Sequence, residues 1–250
     1  MKVSDEEIDD LEKNEEGFFT LWSKVTYLDS ALLFLNSKFP DDLLFNRVST
    51  NYLQHDYEGL ADKALEHFRK KKIRPTFFIA EHQRKLKGEL LKKSFRCINS
   101  FNIMRLKRFV PFPSKDAEVS IVDSESIAAW INTYMKSFDI DAKFRPEVSR
   151  RAIKCLKSNN CTLYIARIYG EPAGTSLTYI GEDVAGFYCI GTVPKFRGIG
   201  VASLILGLAI KDAEKQSHLQ CLQNLESDDV RRFYEERGFE TVFAKKVYQQ

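Results

Sequence analysis

The sequence predicts an α/β fold built on a mixed, mostly antiparallel sheet with flanking helices. Three observations carry this. Between Cys161 and Val193, three apolar runs are separated by the short turns Tyr169-Gly170-Glu171-Pro172 and Gly181-Glu182-Asp183, the pattern of an antiparallel meander. The third run leads through a glycine-rich turn, Val193-Pro194-Lys195-Phe196-Arg197-Gly198-Ile199-Gly200-Val201-Ala202-Ser203, into an apolar helix that starts at Leu204 and ends near Ser217. A further apolar run, His218 to Leu225, then follows. A strand, a helix crossover and another strand imply a parallel pair, so the sheet is antiparallel first and parallel at the glycine turn.

A length of 250 residues suits one large domain or two smaller ones. An apolar fraction of 44% supports a core, and a net charge of +3 is too small to argue for nucleic acid or a membrane surface. No apolar run approaches the roughly 20 residues that span a bilayer. The N-terminus, Met1-Lys2-Val3-Ser4-Asp5-Glu6-Glu7, is acidic where a signal peptide is basic and then apolar. Five cysteines, an odd count without Cys-x-x-Cys spacing, sit mostly in apolar patterns and read as buried thiols of a reducing compartment. A cytoplasmic protein is expected. The four histidines show no metal-ligand spacing, and no metal is expected.

Taken in order, residues 1 to about 16 read as a frayed or surface helix. Phe18, Phe19, Leu21, Trp22, Val25 and Leu28 recur at roughly helical spacing, and Leu43 to Val48 reads as a strand. Leu60 to Lys72 is an amphipathic helix with Leu60, Ala64, Leu65 and Phe68 on one face. Its last turn, Arg69-Lys70-Lys71-Lys72, complements a helix C-terminus. Thr76 to Ala80 is a strand, Lys85 to Lys93 a short basic helix, and Arg96 to Leu106 holds a further strand. Pro111-Phe112-Pro113-Ser114 marks the boundary between a domain at 1–113 and another at 114–250. Glu118 to Val122 alternates as a strand. Ile127, Trp130, Ile131, Tyr134, Met135 and Phe138 define the buried face of a helix, and Pro146 opens another. After Leu225, Asp228 to Arg237 reads as a helix and Phe239 to Tyr248 as the last strand.

The glycine turn carries the chemistry. The first N–H groups of a helix have no internal partner, and the helix dipole makes that end positive, so it accepts phosphate or pyrophosphate. Gly198 and Gly200 permit positive φ and a close approach of ligand to backbone. Arg197 adds a permanent cation. The turn lacks Gly-x-x-x-x-Gly-Lys-Ser/Thr, and Ser203 stands where a dinucleotide fingerprint needs its third glycine.

Two separated motifs resemble the GNAT superfamily of acyl-CoA-dependent N-acyltransferases. Val193-x-Pro-x-x-Arg197-Gly-x-Gly200-x-Ala202 is similar to that family's pyrophosphate loop. Phe233-Tyr234-Glu235-Glu236-Arg237-Gly238-Phe239 is similar to its late helix and following strand. The resemblance covers roughly 117–250. It implies a GNAT fold, in which the parallel strands splay apart and the pantetheine arm of acetyl-CoA lies in the gap. It implies that main-chain groups near Gly191, Thr192 and Val193 pair with that arm. Backbone N–H groups of Arg197, Gly198, Ile199, Gly200, Val201, Ala202 and Ser203 would hold the pyrophosphate. Ser227 stands where relatives often have Asn, so its contact to pantetheine is a hydroxyl's. Tyr234 matches the tyrosine near the thioester sulfur, a general acid for the leaving thiolate. The general base is open: the strand 184–193 holds no acid, Glu226 is the best single candidate, and His218 or a water relayed by Thr192 or Tyr188 are others.

The N-terminal half weakly echoes the C-terminal one. Lys92-Lys93-Ser94-Phe95 followed by Asn102 to Leu106 parallels Glu236-Arg237-Gly238-Phe239 followed by Ala244 to Tyr248, after the same helix–strand–helix order. Only Asp56-Tyr57-Glu58-Gly59 precedes the helix at residue 60, so this half is expected to be a degenerate GNAT-like domain without a CoA loop, in a tandem arrangement. The expected function is acetyl-CoA-dependent N-acetylation of a primary amine by direct attack in a ternary complex. The alternatives are a transferase with another acyl donor, or a non-catalytic CoA-binding sensor. The expected partners are acetyl-CoA and an amine acceptor, small molecule or protein, with no membrane and no nucleic acid, in a monomer or homodimer.

Overall fold

The computed structural model describes residues 3–29, 31–111 and 117–250. Phe112, Pro113 and Ser114 of the expected boundary lie outside these residues, as do Met1 and Lys2. In chain order the elements are α1 (Asp5–Thr20), β1 (Lys24–Leu28), β2 (Ala31–Leu35), β3 (Arg47–Ser49), α2 (Leu60–Lys71), β4 (Thr76–Ala80), α3 (Arg84–Lys92), β5 (Arg96–Leu106), β6 (Ala117–Ile121), α4 (Ile127–Ser137), α5 (Arg145–Leu156), β7 (Cys161–Ile168), β8 (Glu171–Gly181), β9 (Val184–Thr192), α6 (Val201–Ala213), β10 (Leu219–Leu225), α7 (Arg231–Glu236) and β11 (Phe239–Gln249). They form two compact units. The first comprises Met1–Ile103, Asn224–Arg231 and Thr241–Gln250, and the second Met104–Gln223 and Arg232–Glu240.

In the first unit the strand order is β1-β2-β3-β4-β11-β5. The pairs β1–β2, β2–β3 and β4–β11 are antiparallel, and β3–β4, joined through α2, is parallel. The helix α1 is ordered rather than frayed, because Ser4 Oγ accepts from Glu7 N–H (3.2 Å) and Asp5, Glu6 and Glu7 complement the dipole in its first turn. The helical spacing expected across 18–34 is not realised. The helix stops at Thr20, and Val25 and Thr26, β-branched, enter a hairpin in which Leu28 faces Ala31 and Asp29 takes a left-handed turn conformation (φ 53°). The strand expected at 43–48 is short and shifted to Arg47–Ser49. Asp42 Oδ1 accepts from the N–H groups of Leu44 and Phe45, which turns that stretch. Leu60, Ala64, Leu65 and Phe68 of α2 pack with Leu33, Val48, Phe77, Leu86 and Leu90 in one apolar core. The guanidinium of Arg47 is fully buried: it pairs with Glu15 and lies 4.2–5.7 Å from the ring centres of Phe19, Phe34, Phe78 and Phe101.

In the second unit the order is β10-β9-β8-β7-β6. β6 to β9 form the expected meander, extended by one strand, and β9–β10 is parallel through the α6 crossover. The apolar face of α4 is core: Trp130 and Tyr134 stack at 5.1 Å, and Trp130 Nε1 donates to Ser176 O (3.3 Å). α6 begins at Val201, three residues before the expected start at Leu204, and buries Val201, Ile205, Leu206, Ala209 and Ile210. The helix expected over 228–237 is shorter, because Asp229 adopts φ 54° after a 3-10 turn at Glu226–Asp228 and only Arg231–Glu236 continues as α-helix. Of the thiols, Cys155 and Cys221 are buried, Cys161 and Cys189 are partly so, and Cys97 is exposed, against expectation. It stands at the unburied start of β5. The order β3-α2-β4-α3-β5 repeats as β9-α6-β10-α7-β11, with a parallel first pair in each case. The fold is thus the expected mixed sheet in tandem form.

Candidate functional site: the glycine turn and the open edge of β9

The site begins where two parallel strands stop pairing. β9 and β10 match from Val184↔Leu219 to Phe187↔Leu222. β9 then runs five residues further, to Thr192, beyond that register. At this point β9 also bulges against β8: Thr175 faces Gly191 and Leu177 faces Tyr188. Cys189 takes φ 53° in the bulge, and Thr175 Oγ1 donates to Cys189 O (3.0 Å). A bulge bends its strand and leaves backbone groups outside the ladder. The result is a strand end that runs on beyond its parallel partner β10. Burial pushes the Cys189 thiol well above the ordinary range, so it stays protonated and apolar.

Two glycines fix how closely other elements approach this strand. A Cβ on Gly191 would lie 2.6 Å from Phe138 and 2.8 Å from Ser137, so the end of α4 rests on the β9 backbone. A Cβ on Gly174 would lie 2.7 Å from Val201 and 2.9 Å from Gly191 O, which brings the start of α6 onto β8.

The turn itself follows as Val193, a 3-10 turn at Pro194–Phe196, extended Arg197, and Gly198 and Gly200 at φ 80° and 90°. Those two left-handed residues rotate the chain so that α6 starts immediately. The first bond into the helix runs from Leu204 N–H to Gly200 O (3.0 Å), so the N–H groups of Val201, Ala202 and Ser203 have no acceptor within it. A Cβ at Gly198 would meet nothing within 4 Å, so the space over the turn is open. Arg197 does more than add charge. Its Nε donates to Thr192 O (3.2 Å) and its Nη2 to Ser137 O (3.0 Å), which braces the turn against β9 and α4. Lys195 is paired with Glu171. Ile199 is exposed at the crest of the turn.

Tyr234 is buried in α7 with its ring edge-on to Phe233 (5.2 Å) and 6.1 Å from Phe239. Glu226 and Ser227 belong to the first unit. Asn102 Nδ2 donates to Glu226 Oε2 (2.7 Å), and Arg231 lies 3.6 Å from Oε1. Asn99 clamps Ser227 from both sides: Nδ2 donates to Ser227 Oγ (2.7 Å), and Ser227 N–H donates to Asn99 Oδ1 (3.2 Å).

Sequence reasoning missed several supports. Arg237, buried, donates from Nε to Ser203 Oγ (2.7 Å) and lies 4.9 Å from the Phe233 ring, which ties α7 to the first turn of α6. Gly238 at φ 92° is obligatory, since a Cβ there would lie 1.8 Å from Arg108 O. Thr175 and the bulge at Cys189 had no signal beyond the Gly174-Thr175 pair inside a strand, whose glycine is itself a bulge cue.

Residues 125–239 match the family model for the acetyltransferase (GNAT) family. Among solved structures, the fold is similar to a GCN5-related N-acetyltransferase from Kribbella flavida, at 16% identity and a TM-score of 0.71, covering 100% of this chain and 96% of that one. It is also similar to a GCN5-related N-acetyltransferase from Sphaerobacter thermophilus, at 12% identity and 0.68, covering 94% and 84%. A tandem GNAT protein from the clavulanic acid biosynthesis pathway aligns at 12% identity and 0.56, over 82% and 74%. At these identities the likeness is one of fold. No match is found among curated proteins. Residues 125–239 are an acetyltransferase domain of the GNAT family, and acyl transfer is the chemistry this enzyme carries.

Proposed function

We propose that the chain moves an acetyl group from acetyl-CoA to a primary amine by direct attack within a ternary complex. In this reading 114–250 is the catalytic domain and 1–113 a degenerate domain without a CoA loop. The carrying observation is the turn at Arg197–Gly200. It joins two left-handed glycines, unsatisfied N–H groups at Val201, Ala202 and Ser203, and open space over Gly198. That donor set suits a pyrophosphate, because N–H groups at a helix start converge on an anion and the dipole favours it. The stretch from Gly191 in β9 to Val193 lies beyond the register with β10, and on that side it suits the amides of a pantetheine arm, which add to a strand edge as a further strand does; Val193 N–H itself donates to Ala173 O (2.9 Å) and Thr192 O accepts from Arg197.

The chemical step forms a bond between the amine nitrogen and the acetyl carbon and breaks the carbon–sulfur bond. The nitrogen loses a proton and the thiolate gains one. Tyr234 supplies the second proton or a hydrogen bond to the sulfur. The phenol's reference pKa of about 10 matches a departing alkyl thiolate. Glu226 accepts the first proton, its carboxylate oriented by Asn102 and Arg231. The domain works in the compartment expected of its thiols, as a monomer or homodimer.

Thiol release measured over a panel of primary amines with acetyl-CoA as donor tests this. Turnover with at least one amine is expected. Tyr234→Phe is expected to lower kcat about 10²-fold with acetyl-CoA affinity unchanged, and Glu226→Gln to lower it by a similar factor. Acetyl-CoA binding without turnover on any amine contradicts the enzymatic reading in favour of a CoA sensor.

A further inference from the structure

The first unit contains a cavity of about 830 Å³ that the acyl-transfer reading does not use. One wall is a single stripe of α3: Arg84, Lys87, Gly88 and Leu91 stand at i, i+3, i+4 and i+7, opposite the core face that buries Leu86 and Leu90. The other wall is β11, where alternation places Ala244 and Lys246 on the cavity side. Lys245 between them points into the core, where it pairs with Glu12 and donates to Ser49 Oγ (3.0 Å). The end wall is Tyr52 and His82.

Three features of this cavity bear on what it can hold. Arg84, Lys87 and Lys246 have no ion-pair or hydrogen-bond partner from their side chains among the described residues, whereas Lys63, Lys70 and Lys93 nearby in sequence are each paired with an acid. The only acid in the lining is Glu81, so the cavity is net positive. Tyr52 is held rather than loose. Its N–H donates to both carboxylate oxygens of Glu12 (3.0 and 2.9 Å), its ring packs on Phe243 at 4.4 Å, and His82 meets it edge-on at 5.3 Å. His82 is in turn fixed by a ring nitrogen 3.3 Å from Gln54 O. Finally, Gly88 sits in the middle of α3, where glycine costs about 1 kcal/mol against alanine. Its φ is not positive, and a Cβ there would meet nothing within 4 Å. Neither backbone conformation nor a crowding neighbour requires a glycine, and the space it leaves opens on the cavity.

We propose that this cavity binds a small organic phosphate bearing a planar ring. The three cations neutralise a phosphate, with Arg84 able to engage two of its oxygens. The Tyr52 ring, with Phe243 behind it, offers a platform for the planar group. Gly88 lets the ligand lie against the helix backbone. The volume is that of a site for a ligand of mononucleotide size.

Calorimetric titration of the full chain with UMP tests the proposal, with uridine and inorganic phosphate as separate arms. UMP is expected to bind, and uridine and phosphate each at least about tenfold more weakly, since each lacks one half of the recognised group. Lys87→Gln with Lys246→Gln is expected to weaken UMP at least about tenfold, and Gly88→Leu to abolish binding by filling the floor. Gly88→Ala, which keeps the helix and favours it, is expected to melt no lower than the parent while binding UMP more weakly. Gly198→Val, in the glycine turn of the other unit, is expected to leave UMP unaffected, which separates this site from the acetyl-CoA site. Absence of UMP binding at millimolar concentration overturns the proposal. So does binding that the lysine and Gly88 variants leave unchanged, or phosphate alone binding as tightly as UMP.

Discussion

The two units carry the same element order, yet the ends of their parallel strands are treated in opposite ways. In the second unit β9 outruns its register with β10, and the turn after it carries two left-handed glycines and a helix start with no acid on it. In the first unit the equivalent gap is stitched shut. Thr50 N–H donates to Phe78 O (3.1 Å), which extends the β3–β4 pairing by a residue. The fully buried Gln83 then spans the opening. It donates to Asn51 O (2.8 Å) and Gln54 O (2.9 Å), and its Oε1 accepts from Ala80 N–H (3.0 Å) and Thr50 Oγ1 (2.7 Å). The helix starts are also filled. Glu89 Oε1 accepts from Gly59 N–H (3.1 Å) at α2, and Asp56 accepts from Lys85 and Leu86 N–H (2.8 and 3.0 Å) at α3. Three backbone N–H donors hold Asp56 below the usual carboxylate range, although what burial it has works the other way. A helix N-terminus needs an anion. One unit supplies its own carboxylates, and the first turn of α6 in the other carries none.

The comparison breaks most easily at the charge buried in the first unit. Arg47→Ala leaves Glu15 unpaired and removes the cation from four aromatic rings, so a loss of about 3–5 kcal/mol is expected in urea unfolding. A loss below about 1 kcal/mol would mean that the buried pair does not hold this unit. Next in size is the glycine turn. Gly198→Val with Gly200→Val forces two β-branched residues to φ near 80–90°, at about 1–3 kcal/mol each, and fills the approach to the backbone. Acetyl-CoA affinity is expected to fall about 100-fold or more by calorimetry. Gln83→Ala sharpens the contrast from the other side. It orphans buried donors and acceptors, with an expected cost of about 1–3 kcal/mol, and leaves acetyl-CoA affinity unchanged.

The smallest effect is on pH dependence. Burial lifts the carboxyl of Glu16 to about 7, with Glu15 and Glu12 adding to the rise and Lys245 opposing it. Because the folded value lies above the unfolded one, the stabilisation is fully present below about 4.5 and is lost as pH rises through about 7. Glu16→Gln is expected to flatten this dependence, so that the variant gains about 1–2 kcal/mol on the parent between pH 5 and pH 8. Identical pH profiles would place the proton elsewhere.

Much of the second unit was legible because its signals are local. Period-two alternation, short turns and a Gly-x-Gly before an apolar helix each report their own few residues, and Tyr234 stands in a compact motif. The first unit was less legible because long-range pairing decides it. Trp22 to Phe34 has helical spacing, yet a turn at Asp29 and pairing of Val25 with Phe34 make it a hairpin. Arg47, Glu12 and Lys245 look like surface charges in sequence and are core. In the site, the glycines of the turn announced themselves through the φ they require. The braces Arg197–Ser137, Arg237–Ser203 and Asn99–Ser227 join residues 34 to 128 positions apart, and no spacing rule reaches that far.

The central claim is that one crossover of the two is built for acetyl-CoA. Calorimetric stoichiometry on the full chain tests it directly. One equivalent of acetyl-CoA is expected to bind, and Gly198→Val with Gly200→Val to remove it. Two equivalents, or one that survives the double substitution, would contradict the account.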